Sequence, residues 1–129
     1  MLLTTTLLGA ASLAFLQLML TAKVVLTRRE LNVLYGDGGV DAMTRAVRAH
    51  GNLTESAPIF LILLGLIELS GMAPSWSLAL ALGAFVVGRL IHIQAMFTAS
   101  VPIRVLGMSF TLIPIGGLAL GGMALLLMA

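Results

Sequence analysis

Two arginines, a histidine, an asparagine and a glutamate crowd the head of an otherwise membrane-like stretch, R-A-V-R-A-H-G-N-L-T-E-S-A-P-I-F-L-I, from Arg45 to Ile62. A bilayer-spanning helix does not ordinarily carry such residues, because each needs a ligand, a partner helix or a water-filled cleft. At 100° per residue, Arg48, Asn52 and Glu55 fall within about 60° of one another, with Arg45 on the flank of the same face. The stripe runs roughly 10 Å along a helix. Arg89 and His92 stand three apart and share a face of their own. Arg104 follows after one more turn of chain.

Arg45, Arg48, Arg89 and Arg104 outnumber Glu55. A single Glu–Arg pair would only join two helices, whereas a surplus of cations calls for an anion. Arginine grips carboxylates through paired hydrogen bonds, so a ligand with two carboxylates suits the set. His92, one turn from Arg89, is the histidine placed to join it. His50 follows Arg48 by two and points off the stripe, toward a headgroup or a neighbouring helix as readily as toward a ligand. No His or His/Glu pair has metal-site spacing, so no metal is expected. Glu68 is expected to be solvated, and the methionines to serve packing.

The elements that must position these groups follow from composition. Of the 129 residues, 60% are hydrophobic and 9% charged, and the mean hydropathy is +1.12. Soluble domains average roughly 45–50% apolar and about 25% charged, so the chain reads as an integral membrane protein, nearly all of it span. With no cysteine, any thiol chemistry must come from a bound substrate. The net charge of +2 reflects topology and site residues, not a nucleic-acid surface.

The hydropathy divides the chain into spans over about 3–27, 42–70, 75–98 and 103–128, within a single domain, 1–129. The uncharged run that opens the chain, Met1 to Ala22, lacks the basic leader of a signal peptide. Lys23, Arg28 and Arg29 follow it, which by the positive-inside rule makes that end cytoplasmic and both termini external. Tyr35-Gly36-Asp37-Gly38-Gly39 is turn chemistry, with Asp37 or Asp41 as a cap for the next helix. Pro58 deprives the Thr54 carbonyl of its helical donor and predicts a kink. Trp76 suits an interfacial anchor. Gly116-Gly117 and Gly121-Gly122 predict close helix packing. The expected architecture is an all-α, four-helix membrane bundle with its polar groups gathered in the cytoplasmic half.

R-A-V-R-A-H-G-N-L-T-E-S-A-P, then G-R-L-I-H, then P-I-R, resembles the MAPEG family, the membrane-associated proteins in eicosanoid and glutathione metabolism, and its bacterial members most. The likeness is close from Arg45 to Arg104 and rests on hydropathy elsewhere. It implies a homotrimer in the inner membrane that binds glutathione in a cleft between neighbouring protomers, open to the cytoplasm. Arg45, Arg48, Asn52, Glu55 and His92 would hold the peptide. Arg104, or Arg89, would stabilise its thiolate, since a nearby cation lowers a thiol pKa from about 8.5. The partners implied are membrane lipids, further copies of the chain and a lipophilic substrate, in a transferase or peroxidase reaction. Two departures stand out: Ser56 and Met96 occupy positions where the family often has tyrosine, and Tyr35 is the one tyrosine. A small-molecule transporter working through Glu55, and a non-catalytic membrane protein of the same fold, remain as alternatives.

Overall fold

The computed structural model describes residues 3–128. Met1, Leu2 and Ala129, part of the domain expected over 1–129, lie outside them. Helices α1 (Thr4–Leu31), α2 (Asp41–Ser70), α3 (Ser75–Thr98) and α4 (Val101–Met128) form an all-α bundle, and each is long and apolar enough to cross a bilayer. Pro58 lies inside α2, which continues through it.

Two boundaries differ from the hydropathy reading, for local reasons. α1 continues past residue 27 because Arg28 and Arg29 in its last turn complement the negative end of the helix dipole. It stops where Asn32, at φ 54°, adopts the left-handed conformation and donates its N–H back to the Arg28 and Arg29 carbonyls. α4 begins at Val101, before residue 103, because Pro102 fits a first helical turn, where its missing N–H satisfies nothing anyway. Ala99, at φ 53°, ends α3, so only Ala99 and Ser100 separate the two helices.

Glycine sets how closely α3 and α4 approach. A Cβ on Gly88 would lie 2.8 Å from the Phe110 backbone carbonyl carbon, and one on Gly107 only 2.6 Å from the His92 nitrogen. Backbone therefore rests on backbone, as in many membrane helix pairs. Within the chain, the glycine pairs on α4 make no such approach. Gly116, Gly117 and Gly121 have open space where a Cβ would sit, and Gly122 meets only the tip of Ile67 at 3.9 Å. Deeper in, Phe60 and Phe85 stack at 4.0 Å between ring centroids, both fully buried beside Leu53 and Leu64.

α1 is tied to α2 at two levels. Glu68, expected to be solvated, reaches across to the amino end of α1. Its carboxylate accepts the Thr5 and Thr6 N–H groups at 2.8 Å each and the Thr6 hydroxyl at 2.7 Å. Leu3, at the cap position, has no side chain that could do this, so a residue from another helix satisfies the orphan donors. Lower down, Gln17 Nε2 donates to the Thr54 hydroxyl at 2.8 Å and meets His50 Nε2 at 2.7 Å, with the Thr21 hydroxyl 3.1 Å from the same ring nitrogen. His50 thus makes the interhelical contact that its position off the stripe allowed.

The connector before α2 is held by Asp37. Its carboxylate accepts the Gly39 N–H at 3.1 Å and the Thr44 hydroxyl at 2.8 Å. Those two bonds hold the Asp37 carboxyl below its ordinary value of 3.8. Neither aspartate expected as a cap makes a capping hydrogen bond: Val40 holds the cap position without one, Asp37 bonds the connector and the Thr44 hydroxyl instead, and Asp41 stands in the first turn, where the helix dipole favours it.

Candidate functional site

The periodicity of α2 places Arg48, Asn52 and Glu55 along one wall of a cavity of about 680 Å³. α3 contributes His92 and Met96 to it, and α4 contributes Arg104 and Met108. That volume is within the range of about 300–1,000 Å³ usual for small-ligand pockets. Thr44, Met96 and Arg104 are shared with a smaller cavity of about 260 Å³. Arg45 and Asp41 line the smaller one from α2, and Ser100 lines it from the turn into α4. The two are compartments of one cleft at the end of the bundle where α2 and α4 begin and α3 ends.

Arg48, Asn52, Glu55, His92 and Arg104 are therefore gathered around a single space, with Arg45 next door. Arg89 lines neither compartment. It lies behind the wall, 1% exposed. One guanidinium nitrogen bonds the Asn52 side-chain oxygen and reaches the Asn52 carbonyl and the Ser56 hydroxyl, each at 3.4 Å. The other bonds the Thr111 hydroxyl, with the Met108 sulfur at 3.9 Å. The Phe85 ring lies 5.7 Å away on the apolar side. These partners are all neutral. Arg89 thereby joins α2, α3 and α4 through one side chain, and the close Gly88–Gly107 crossing brings Thr111 within its reach.

The consequence for the cavity is a fixed Asn52. Its oxygen faces Arg89, and its amide nitrogen donates to the Met108 sulfur at 3.8 Å. Ser56 donates its hydroxyl to the Asn52 carbonyl at 2.7 Å, closing the cluster. An amide nitrogen carries two hydrogens, so one remains for whatever occupies the cavity. Arg48, Glu55 and Arg104 are exposed toward the open cleft, and His92 is 4% exposed.

The charge inventory is narrower than the sequence suggests. Arg89 belongs to the scaffold, and Asp41 adds a second carboxylate, which leaves Arg45, Arg48 and Arg104 facing Asp41 and Glu55. The surplus is still positive. Asp41 carries a periodic signal, since it stands two turns before Arg48 on the same stripe, but its place beside the glycine-rich connector makes it read as a cap. Met108 carries none: a methionine in an apolar helix gives no sign that its sulfur accepts hydrogen bonds. Among the described residues no group of three His, Cys, Asp or Glu could hold a metal ion.

The sequence profile of the MAPEG family matches residues 6–124. The chain is also similar to the inner membrane protein YecN of Escherichia coli, from strain K12 and from a strain of serotype O6:H1. In each case the identity is 35% over 79 residues, covering 61% of this chain. The match spans 60% of the length of those relatives. No solved structure matches the chain.

Proposed function

The chain belongs to the MAPEG family and is an integral membrane protein of four apolar helices. From that premise we propose that it binds glutathione in the cleft of Arg45, Arg48, Asn52, Glu55, His92 and Arg104, and directs the thiolate at a lipophilic electrophile. The observation that carries this reading is the convergence of Arg48, Asn52, Glu55, His92 and Arg104, from three helices, on one cavity of about 680 Å³. Glutathione has two carboxylates and one ammonium. The guanidinium groups suit the first and the carboxylate of Glu55 suits the second. Arg104 lines both compartments and is placed to lower the thiol pKa by its charge. Arg89 contributes from behind, by orienting Asn52.

The protein is proposed to act as a homotrimer in the bacterial inner membrane, where the name of its E. coli relatives puts them. The cleft would then open to the cytoplasm, as the basic residues at that end require, and would take transferase or peroxidase substrates from the bilayer. A proton-coupled exporter would need Glu55 to attract cations, and Arg48 on the same wall and Arg104 from α4 oppose that. Calorimetry on purified protein is the test. Glutathione is expected to bind saturably and to lose affinity in Arg48→Ala while the helical circular dichroism is unchanged. Absence of binding to the unaltered protein overturns the reading.

A further inference from the structure

We propose that a groove between α3 and α4, in the half of the bundle remote from the arginines, is a binding site for one acyl chain of a bilayer phospholipid. The two helices rest backbone on backbone at Gly88 and Gly107. Pro114 stands inside α4 beyond that crossing, and a proline within a helix bends it. Further along α4, Gly117 and Gly121 have nothing within reach of a Cβ. The helices thus border a cavity of about 690 Å³, walled by Ala81 and Ala84 of α3 and by Gly117 and Gly121 of α4. Ile67 of α2 and Leu118, both buried, form its floor.

Length and chemistry both fit hydrocarbon. From Ile113 to Leu125 the groove follows α4 for about 18 Å, close to the roughly 15 Å of one leaflet's hydrocarbon layer. Its lining carries no charge, and its one hydroxyl, on Ser77, already donates to the Pro74 carbonyl at 2.7 Å. Water held in a cavity needs about two to four polar partners, and these walls lack them. Further copies of the chain are needed elsewhere. Arg48 and Glu55 stand exposed on a membrane span, where lipid cannot satisfy them. On α4 the cleft residues Arg104 and Met108 lie about 140° around the helix from Gly117 and Gly121, so a copy that closes the cleft faces away from the groove. The second neighbour in a ring would present its own cleft, which lies at the opposite depth in the membrane. The source of the chain is also set by charge. No lysine or arginine stands between Arg48 and Arg89 or after Arg104, and Glu68 is held by the α1 amides. A free fatty acid would find no cation for its carboxylate, whereas a phospholipid keeps its headgroup in the interface and inserts only its chain.

The test is photolabelling of the purified protein in phosphatidylcholine vesicles that include a phospholipid with a diazirine in mid-chain. Light expels nitrogen and leaves a carbene, which inserts into a neighbouring C–H bond, and peptide mass mapping reads where. If chains only brushed the surface, yield would follow exposure. Ile67 and Leu118, at 6% and 8%, would then carry roughly a tenth of the adducts on the ridge residues Leu80 and Ile113, at 66% and 72%. A resident chain is expected to label the floor at least as heavily as the ridges. Gly117→Leu combined with Gly121→Leu puts side chains into open space. That variant is expected to keep its helical circular dichroism and to return the floor to about that tenth, with the ridges still labelled. Floor yields that follow exposure in the unaltered protein, or a floor still fully labelled once the groove is filled, overturn the proposal. Adducts missing from floor and ridges alike also overturn it, since another helix would then cover the groove.

Discussion

Arg89 and Arg104 lie at the same end of the bundle, and the sequence offers both for the same task. The structure gives them opposite surroundings. Arg89 is enclosed, and neutral oxygens of Asn52, Ser56 and Thr111 surround its guanidinium. Arg104 is exposed on the wall common to both compartments. Hydrogen bonds to a charged group each contribute about 1.5–3 kcal/mol, so neutral partners from the two neighbouring helices suffice to keep a guanidinium buried without a carboxylate. What distinguishes a site cation from a scaffold cation is therefore whether neighbouring side chains already hold its terminal nitrogens, as they do in Arg89, where Nε is left without a partner.

The comparison breaks most sharply at Arg89. Arg89→Ala removes the link between three helices and strands the oxygens that it held. It is expected to cost about 2–5 kcal/mol, seen as a large drop in the thermal midpoint in detergent. Arg104→Ala is expected to leave that midpoint nearly unchanged, within about 0.5 kcal/mol, and to slow glutathione-dependent turnover by about 10²–10³-fold through loss of a preorganised cation. The reverse outcome, an unfolded Arg104→Ala beside a stable and merely slow Arg89→Ala, would exchange the two roles.

The glycines sharpen the contrast at a smaller scale. A Cβ at Gly107 meets the His92 nitrogen at 2.6 Å, and backbone cannot move aside as a side-chain tip can. Gly107→Ala is expected to cost about 1–3 kcal/mol by overpacking and, by prising α4 from α3, to weaken the Thr111–Arg89 contact. Gly117→Ala adds its methyl to open space and is expected to be neutral, or stabilising by up to about 1 kcal/mol from helix propensity. Thermal unfolding of the two variants side by side decides it.

These cases show which features were legible in the sequence. The α2 stripe was readable because it depends only on helical periodicity, and the four spans because they depend only on hydropathy. The fate of Arg89 was not, since its partners Thr111 and Met108 are ordinary residues of another helix that become relevant only when α3 and α4 cross. Gly88 and Gly107 are isolated glycines, so the eye goes to the doubled ones on α4, which meet little within the chain. Glu68 looked solvated because its partners, the first amides of α1, lie 63 and 62 positions earlier. Installing a neutral side chain in Glu68→Gln, which keeps the shape and removes the charge, is expected to cost about 1 kcal/mol, seen as faster hydrogen exchange at Thr5 and Thr6.

The smallest effect is expected at the mouth, where Asp37 holds Thr44. Both sides of this contact are open to water, unlike the enclosure of Arg89, so its loss should loosen the connector without unfolding the bundle. The bonds from Gly39 and Thr44 favour the ionised carboxylate and lower its pKa from 3.8. A lowered carboxyl pKa stabilises the folded form above the unfolded value, and that contribution fades as pH falls through the folded one. Between pH 7 and 5 the Gly39 amide should therefore stay equally protected, after allowance for the intrinsic exchange rate. Protection should fail only once the pH falls below about 3.8, whereas Asp37→Ala should lack it at every pH. Thr44 lines both compartments, so the same variant should weaken glutathione binding modestly and by far less than Arg48→Ala. A loss as large as that of Arg48→Ala would mean that the mouth is held as firmly as the wall behind it, and the division between enclosed scaffold and open site would no longer stand.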